Sequence, residues 1–186
     1  MKQTIFYAIA LTVMMAVGTN SHAASWRVNN DTTRGAQFAN INAAMSSAEV
    51  QDGDTLYLDP GSLITGNQTV TKSVTIIGNG YFSNALPYAL ATIDGTLYLK
   101  AAHSKVYGVN FNSSVQVCAD YVTIERCKTN HIGYNSGTAR YAIIRNCYIS
   151  INGTCISGAG TSSESSFSWT IENNILIGTH NYSICV

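Results

Sequence analysis

The chain has 186 residues with ten basic and ten acidic side chains, so its formal charge is zero; 11% of it is charged against 46% hydrophobic. A nucleic-acid binder needs a basic face, and a disordered chain needs many charges and few apolar residues, so this composition excludes both. One domain with its own core is expected, with the Gly-, Asn-, Ser- and Thr-rich turns of a β-protein.

Met1 to Ala23 reads as a processing signal. Lys2 supplies a charged start, Ile5 to Val17 an apolar run short for a bilayer span, and Ser21-His22-Ala23 a small-x-small site ahead of Ala24. Cleavage after Ala23 leaves 163 residues with no membrane span, and export to the periplasm, cell surface or medium is expected.

Ser25 to Asn30 carries Trp26 and Val28 in alternation and predicts a first strand. Gln37 to Glu49 places Phe38, Ile41, Met45 and Ala48 on one helical face, a candidate cap for an open β end. Residues 24–54 are thus expected to hold a strand and a capping helix, and 55–186 a series of stacked coils. Strands are predicted at Thr55–Leu58, Thr69–Val70, Val74–Ile77, Thr96–Leu99, Val106–Phe111 and Ser114–Val117. Gly78-Asn79-Gly80 is a strong turn signal. Beyond it, Tyr81 to Ala91 interrupts the pattern with a segment rich in aromatic and apolar residues, and Thr161 to Ser166 is a second, polar excursion. Insertions in repeat folds map to loops, often on a binding face.

Three copies of one pattern organise the second half: Tyr121 to Thr129, Tyr141 to Ile149, and Ser168 to Leu176. Their starts lie 20 and 27 residues apart, too close for separate domains and right for coils of a solenoid. Within a copy, Val122, Ile124, Cys127 and Thr129 alternate with polar residues except for one extra residue after Ile124, which makes a corner. Stacking the copies gives inward columns Val122/Ala142/Trp169 and Ile124/Ile144/Ile171, an outward column Glu125/Arg145/Glu172 of alternating sign, and a corner column Cys127/Cys147/Asn174. Tyr182-Ser183-Ile184 reads as one more strand, and with no cap sequence after it the chain is expected to be the front part of a longer protein or to be covered by a partner.

This V-x-I-x-x-N-x-I-like turn, together with the helix, the Gly53-Asp54-Thr55 turn, the first strand and Pro60-Gly61, resembles the right-handed parallel β-helix proteins of the pectate-lyase-like superfamily. The departure is that two of three positions of the corner ladder are Cys rather than Asn. The resemblance implies an all-β, right-handed parallel β-helix with an N-terminal capping α-helix. It carries no catalytic residues over to this chain.

Five cysteines follow the signal: Cys118, Cys127, Cys147, Cys155 and Cys185. Their odd number and coil positions favour buried thiols over a Cys127–Cys147 disulfide, although neighbouring strands bring such a pair within bridging range. No metal is expected, because Cys118, Cys127 and His131 lack CxxC or HExxH spacing. No cofactor motif is seen. Polysaccharide lyase chemistry needs a cation and a nearby base, and hydrolysis needs paired carboxylates. Lys128 is isolated, Asp94 and Asp120 lack acidic neighbours, and His103, His131 and His180 fall near predicted turns. A non-catalytic module touching a cell-surface glycan or polysaccharide is therefore expected, the alternative being the front part of a lyase or glycoside hydrolase acting on an acidic polysaccharide. The candidate glycan contacts are Tyr81, Tyr88, Tyr121, Tyr141 and Tyr148, since an aromatic ring offers apolar area and a polar handle.

Overall fold

The computed structural model describes residues 23–80, 90–135, 139–151, 153–158, 168–178 and 184–185. The predicted signal up to His22, residues 81–89 and 161–167, and His180 lie outside them. After β1 (Ser25–Val28) and a short helix α1 (Ile41–Ser46), eighteen strands follow in six coils of three. The first coil is β2 (Thr55–Leu58), β3 (Leu63–Thr65) and β4 (Gln68–Val70); the second is β5 (Thr75–Ile77), β6 (Thr92–Asp94) and β7 (Leu97–Leu99). The third comprises β8 (Lys105–Tyr107), β9 (Asn110–Phe111) and β10 (Ser114–Val117), and the fourth β11 (Thr123–Glu125), β12 (Lys128–Thr129) and β13 (His131–Tyr134). The last two are β14 (Ile143–Arg145), β15 (Tyr148–Ile151), β16 (Ile156–Ser157), and β17 (Thr170–Glu172), β18 (Ile175–Gly178), β19 (Ile184–Cys185). Every third strand joins the same sheet, giving three all-parallel sheets wound as a right-handed β-helix.

Strands of two to four residues have no stability alone, so the fold is held by coil-to-coil pairing. In the first sheet Leu56, Ile76, Val106, Ile124, Ile144 and Ile171 stand in register, and all but Ile171 are buried. Each such side chain contributes about 1.5–3 kcal/mol by leaving water. The predicted Ile124/Ile144/Ile171 column is therefore the observed one. The outward column is also as read: Glu125 accepts from Arg145 Nη2 at 2.8 Å, and Arg145 Nη1 lies 3.8 Å from Glu172.

Corners form where the chain enters the left-handed region. Gly108, Arg126, Asn146 and Asn173, each one residue past the first-sheet strand of its coil, have φ of 62°, 52°, 56° and 52°. Gly108 explains why the predicted strand Val106–Phe111 is really two, β8 and β9. The corner column that follows keeps one hydrogen-bonding job with two chemistries. Asn174 Nδ2 donates to Ile144 O at 2.9 Å, while the Cys147 and Cys127 thiols reach Ile124 O and Val106 O at 3.7 and 3.8 Å. In each case the acceptor is the middle residue of the first-sheet strand one coil earlier.

The predicted helix Gln37–Glu49 shrinks to α1, and Ala48 is exposed rather than on its buried face. Asn40 caps it by accepting from Ala43 N, and Ser47 already has extended backbone, which ends it. Phe38 instead lies in a bridge against Val28, covering the outer edge of β1. Asn42 from α1 treats the edge of β4 in the same way, donating to Asn67 O and accepting from Thr69 N. Asn30 Oδ1 accepts from Leu63 N at the edge of β3. A backbone bridge at β1 and asparagine side chains at β3 and β4 thus close the three sheet edges at this end. At the other end Ile184 is 39% exposed and Ile171 and Leu176 are only partly buried, because no further described strand lies over them. No helix among the described residues is long and apolar enough to cross a membrane.

The cap is anchored by Asp54, whose carboxylate accepts from Ala24 N, Trp26 Nε1 and Gln51 N at 2.7, 2.8 and 2.9 Å. Burial works to raise its pKa, but these donors and the Lys72 charge outweigh it and hold the group below the ordinary carboxylate value. A depressed carboxylate stabilises the fold above its unfolded pKa and stops doing so as pH falls through its folded one. Wild type is therefore expected to lose stability from about pH 4 downward, and Asp54→Asn to be less stable at pH 7 and flatter in that window, as read by urea midpoints against pH. On the charge column, Arg145→Ala leaves the nearly buried Glu125 without its main donor and is expected to destabilise the fold more than Glu172→Ala, which removes only a long, exposed contact. Equal costs in urea unfolding would contradict this account.

Candidate functional site

The corner leading into the first sheet carries a stack of aromatic rings. His103, Tyr121 and Tyr141 each sit two residues before the first residue of their strand, and all have φ near 60°: 62°, 58° and 58°. One left-handed residue at the same place in each coil turns the three side chains to the same outer position. Their ring centroids are 5.0 and 4.9 Å apart with planes inclined by 4° and 16°, so the rungs follow the strand spacing. Tyr121 is 48% and Tyr141 44% exposed. The stack is braced by the bidentate pair of Arg140 and Asp120, with Nη2 to Oδ2 at 2.7 Å. The Arg140 guanidinium lies 6.0 Å from the Tyr141 centroid.

The column continues to Ser168, which keeps a positive φ of 38° and stands where a fourth ring would be. Mutual stacking covers the faces of Tyr121. Among the described residues the column of rings ends at Tyr141, with Ser168 at the next place in the column and the Arg140 guanidinium over the Tyr141 ring.

At the opposite edge of the same sheet a groove of 290 Å³ is lined by Ile77, Tyr107, Arg126, Asn79 and the backbone of Gly78, Gly80 and Gly108. Gly78 and Gly108 are required by packing between coils, since a Cβ on Gly78 would collide with Gly108 O. Arg126 is the one corner residue of its column that is neither Gly nor Asn, and its side chain is 67% exposed. Its ion pair with Glu125 is long, 3.7 Å, because Glu125 is committed to Arg145.

Of the tyrosines singled out from the sequence, Tyr121 and Tyr141 come together, but at a turn rather than on a strand face. Tyr148 is on β15 in another sheet, with Lys128 Nζ 6.0 Å from its ring. Tyr81 and Tyr88 lie outside the described residues. His103 was not among the predicted contacts. Laying Lys105–Tyr107 over the repeats would have found it, because His103 precedes Lys105 as Tyr121 precedes Thr123. His131, expected at a turn, is the first residue of β13 and bonds a side chain, Ser157. The strand register, not the local turn signal, decides its place. Asp120, which has no acidic neighbour in sequence, is paired with Arg140.

Among the described residues no three His, Cys, Asp or Glu side chains gather as a metal site. Cys127, Cys147 and Cys155 are free and buried, and Cys118 is buried as well. Burial pushes the Cys127 thiol well above its ordinary pKa, with Cys147 beside it. No family model, curated protein or solved structure matches the chain.

Both thiols are shut away from solvent, and that burial predicts inertness. Native protein is expected to leave Cys127 and Cys147 unmodified by iodoacetamide, with both alkylated at once in urea, as mapped by peptide mass spectrometry. A Cys127–Cys147 disulfide in protein purified without reductant would overturn the free-thiol reading.

Proposed function

We propose that this chain is an exported β-helix module that binds an extended polysaccharide at the aromatic corner. The observation that carries this is the unfilled rung: three rings repeat at the strand spacing, and the backbone then repeats a fourth time with only a serine. A sugar ring laid against the exposed part of Tyr121 and Tyr141, beside Ser168, sets its C–H face on the aromatics and its hydroxyls toward Ser168, Arg140 and Asp120. The paired charges beside the stack supply a donor and an acceptor without a net field, which suits a neutral or weakly charged glycan. The likeness of the coil pattern to pectate-lyase-like β-helices supports the ligand class, and the apolar run after Lys2 supports export to the periplasm, cell surface or medium. Among the described residues the carboxylate of the corner, Asp120, is tied to Arg140, so binding rather than turnover is the role assigned to it.

Binding to a panel of soluble polysaccharides by affinity electrophoresis tests this. Tyr141→Ala is expected to weaken retention about tenfold, the equivalent of one stacked ring. Ser168→Tyr is expected to abolish it by filling the rung while keeping the fold, since tyrosine already occupies this backbone conformation at Tyr121 and Tyr141. Tyr148→Ala is expected to bind as wild type. Retention of every glycan unchanged in Tyr141→Ala and Ser168→Tyr would sink the proposal.

A further inference from the structure

On the outer face of the third sheet, His131 Nε2 stands 2.8 Å from the Ser157 hydroxyl oxygen. The residues are on neighbouring strands, β13 and β16, and out of register: Ser157 lies across from Gly133. The imidazole therefore runs diagonally over Gly133, and even an alanine methyl there would collide with the ring. Glycine at this one outward position is what lets the histidine lie down and reach the next coil. Both side chains are half-buried, neither shut in nor fully solvated. Burial lowers the His131 pKa, so the neutral, proton-accepting imidazole is the form at neutral pH.

From this geometry we infer that Ser157 and His131 form a nucleophile and base that take the acyl group of a short-chain carboxylic ester. The pair uses no residue of the aromatic corner and stands or falls separately from polysaccharide binding. With its own proton on Nδ1, the imidazole receives the Ser157 hydroxyl proton on Nε2 as Oγ bonds to the ester carbonyl carbon. The bond to the alcohol oxygen then breaks, and the alcohol leaves with that proton. Water attacks the acyl-serine next, passing a proton to Nε2; the acid departs and Ser157 recovers its hydrogen. Oxidation states do not change, and water is the sole co-reactant.

The test is site-mapped labelling of the full chain by a fluorophosphonate probe, alongside p-nitrophenyl acetate hydrolysis. Ser157 is expected to be the labelled residue, and Ser157→Ala to remove both label and hydrolysis. His131→Gln is expected to slow labelling roughly 100-fold, the usual worth of a positioned base. Gly133→Ala, which leaves both partners in place but pushes the ring aside, is expected to slow it likewise with an unchanged circular dichroism spectrum. Label spread over exposed serines at the rate seen for the urea-unfolded chain overturns the inference without relying on any variant folding. Ser157 labelling that is indifferent to His131→Gln also overturns it.

Discussion

Parallel pairing of each short strand with its counterpart one coil away is the constraint on which every other feature rests. No coil has enough strand to stand alone, and none buries its own apolar side chains; Ile124 is buried only because Val106 and Ile144 lie over and under it. The same pairing carries the charge column, where Glu125 and Arg145 can meet because they are one rung apart. It also explains the two unlike ends. Phe38, Asn30 and Asn42 cover the first strand edges with side chains and a bridge, whereas Ile184 and its neighbours in the last described coil keep part of their surface in water.

Register copies whatever the corners hold. A left-handed residue after each first-sheet strand is chemically easy for Gly108, Asn146 and Asn173 and costly for Arg126, which places a loosely paired guanidinium beside an open groove. A left-handed residue before the strand turns His103, Tyr121 and Tyr141 outward together, so a stack of rings arises from a backbone habit. Stacking also limits that surface, because rings that cover one another have little face left for a ligand. At Ser168 the column passes from tyrosine to serine, and the described stack of rings ends there.

Thiols stand in for amides in the corner ladder. Asn174 bonds the coil before it through a short amide contact, and Cys147 and Cys127 aim at the equivalent carbonyls with weaker, longer S–H contacts. What the cysteines lose in hydrogen bonding they recover as small apolar bodies that fit the core. The hydrogen bond is not required at every rung, since Val109 holds the same position one coil before Cys127, buried and with no side-chain hydrogen to donate.

The period-2 alternation in Tyr121–Thr129 and its two copies was enough by itself to determine the coil, its corner and the columns through residues 124, 144 and 171, because those features repeat locally in the chain. The strands β3, β6, β13 and β16 left no such mark; they are two to four residues long and are strands only by virtue of their neighbours. The helix was overextended for the same reason, since Phe38 fits a helical face in sequence yet gains more by bridging Val28. Contacts across coils were beyond the sequence altogether. His103 joins two tyrosines, and His131 reaches Ser157 over a glycine, only once winding has brought residues about twenty positions apart to within one strand spacing.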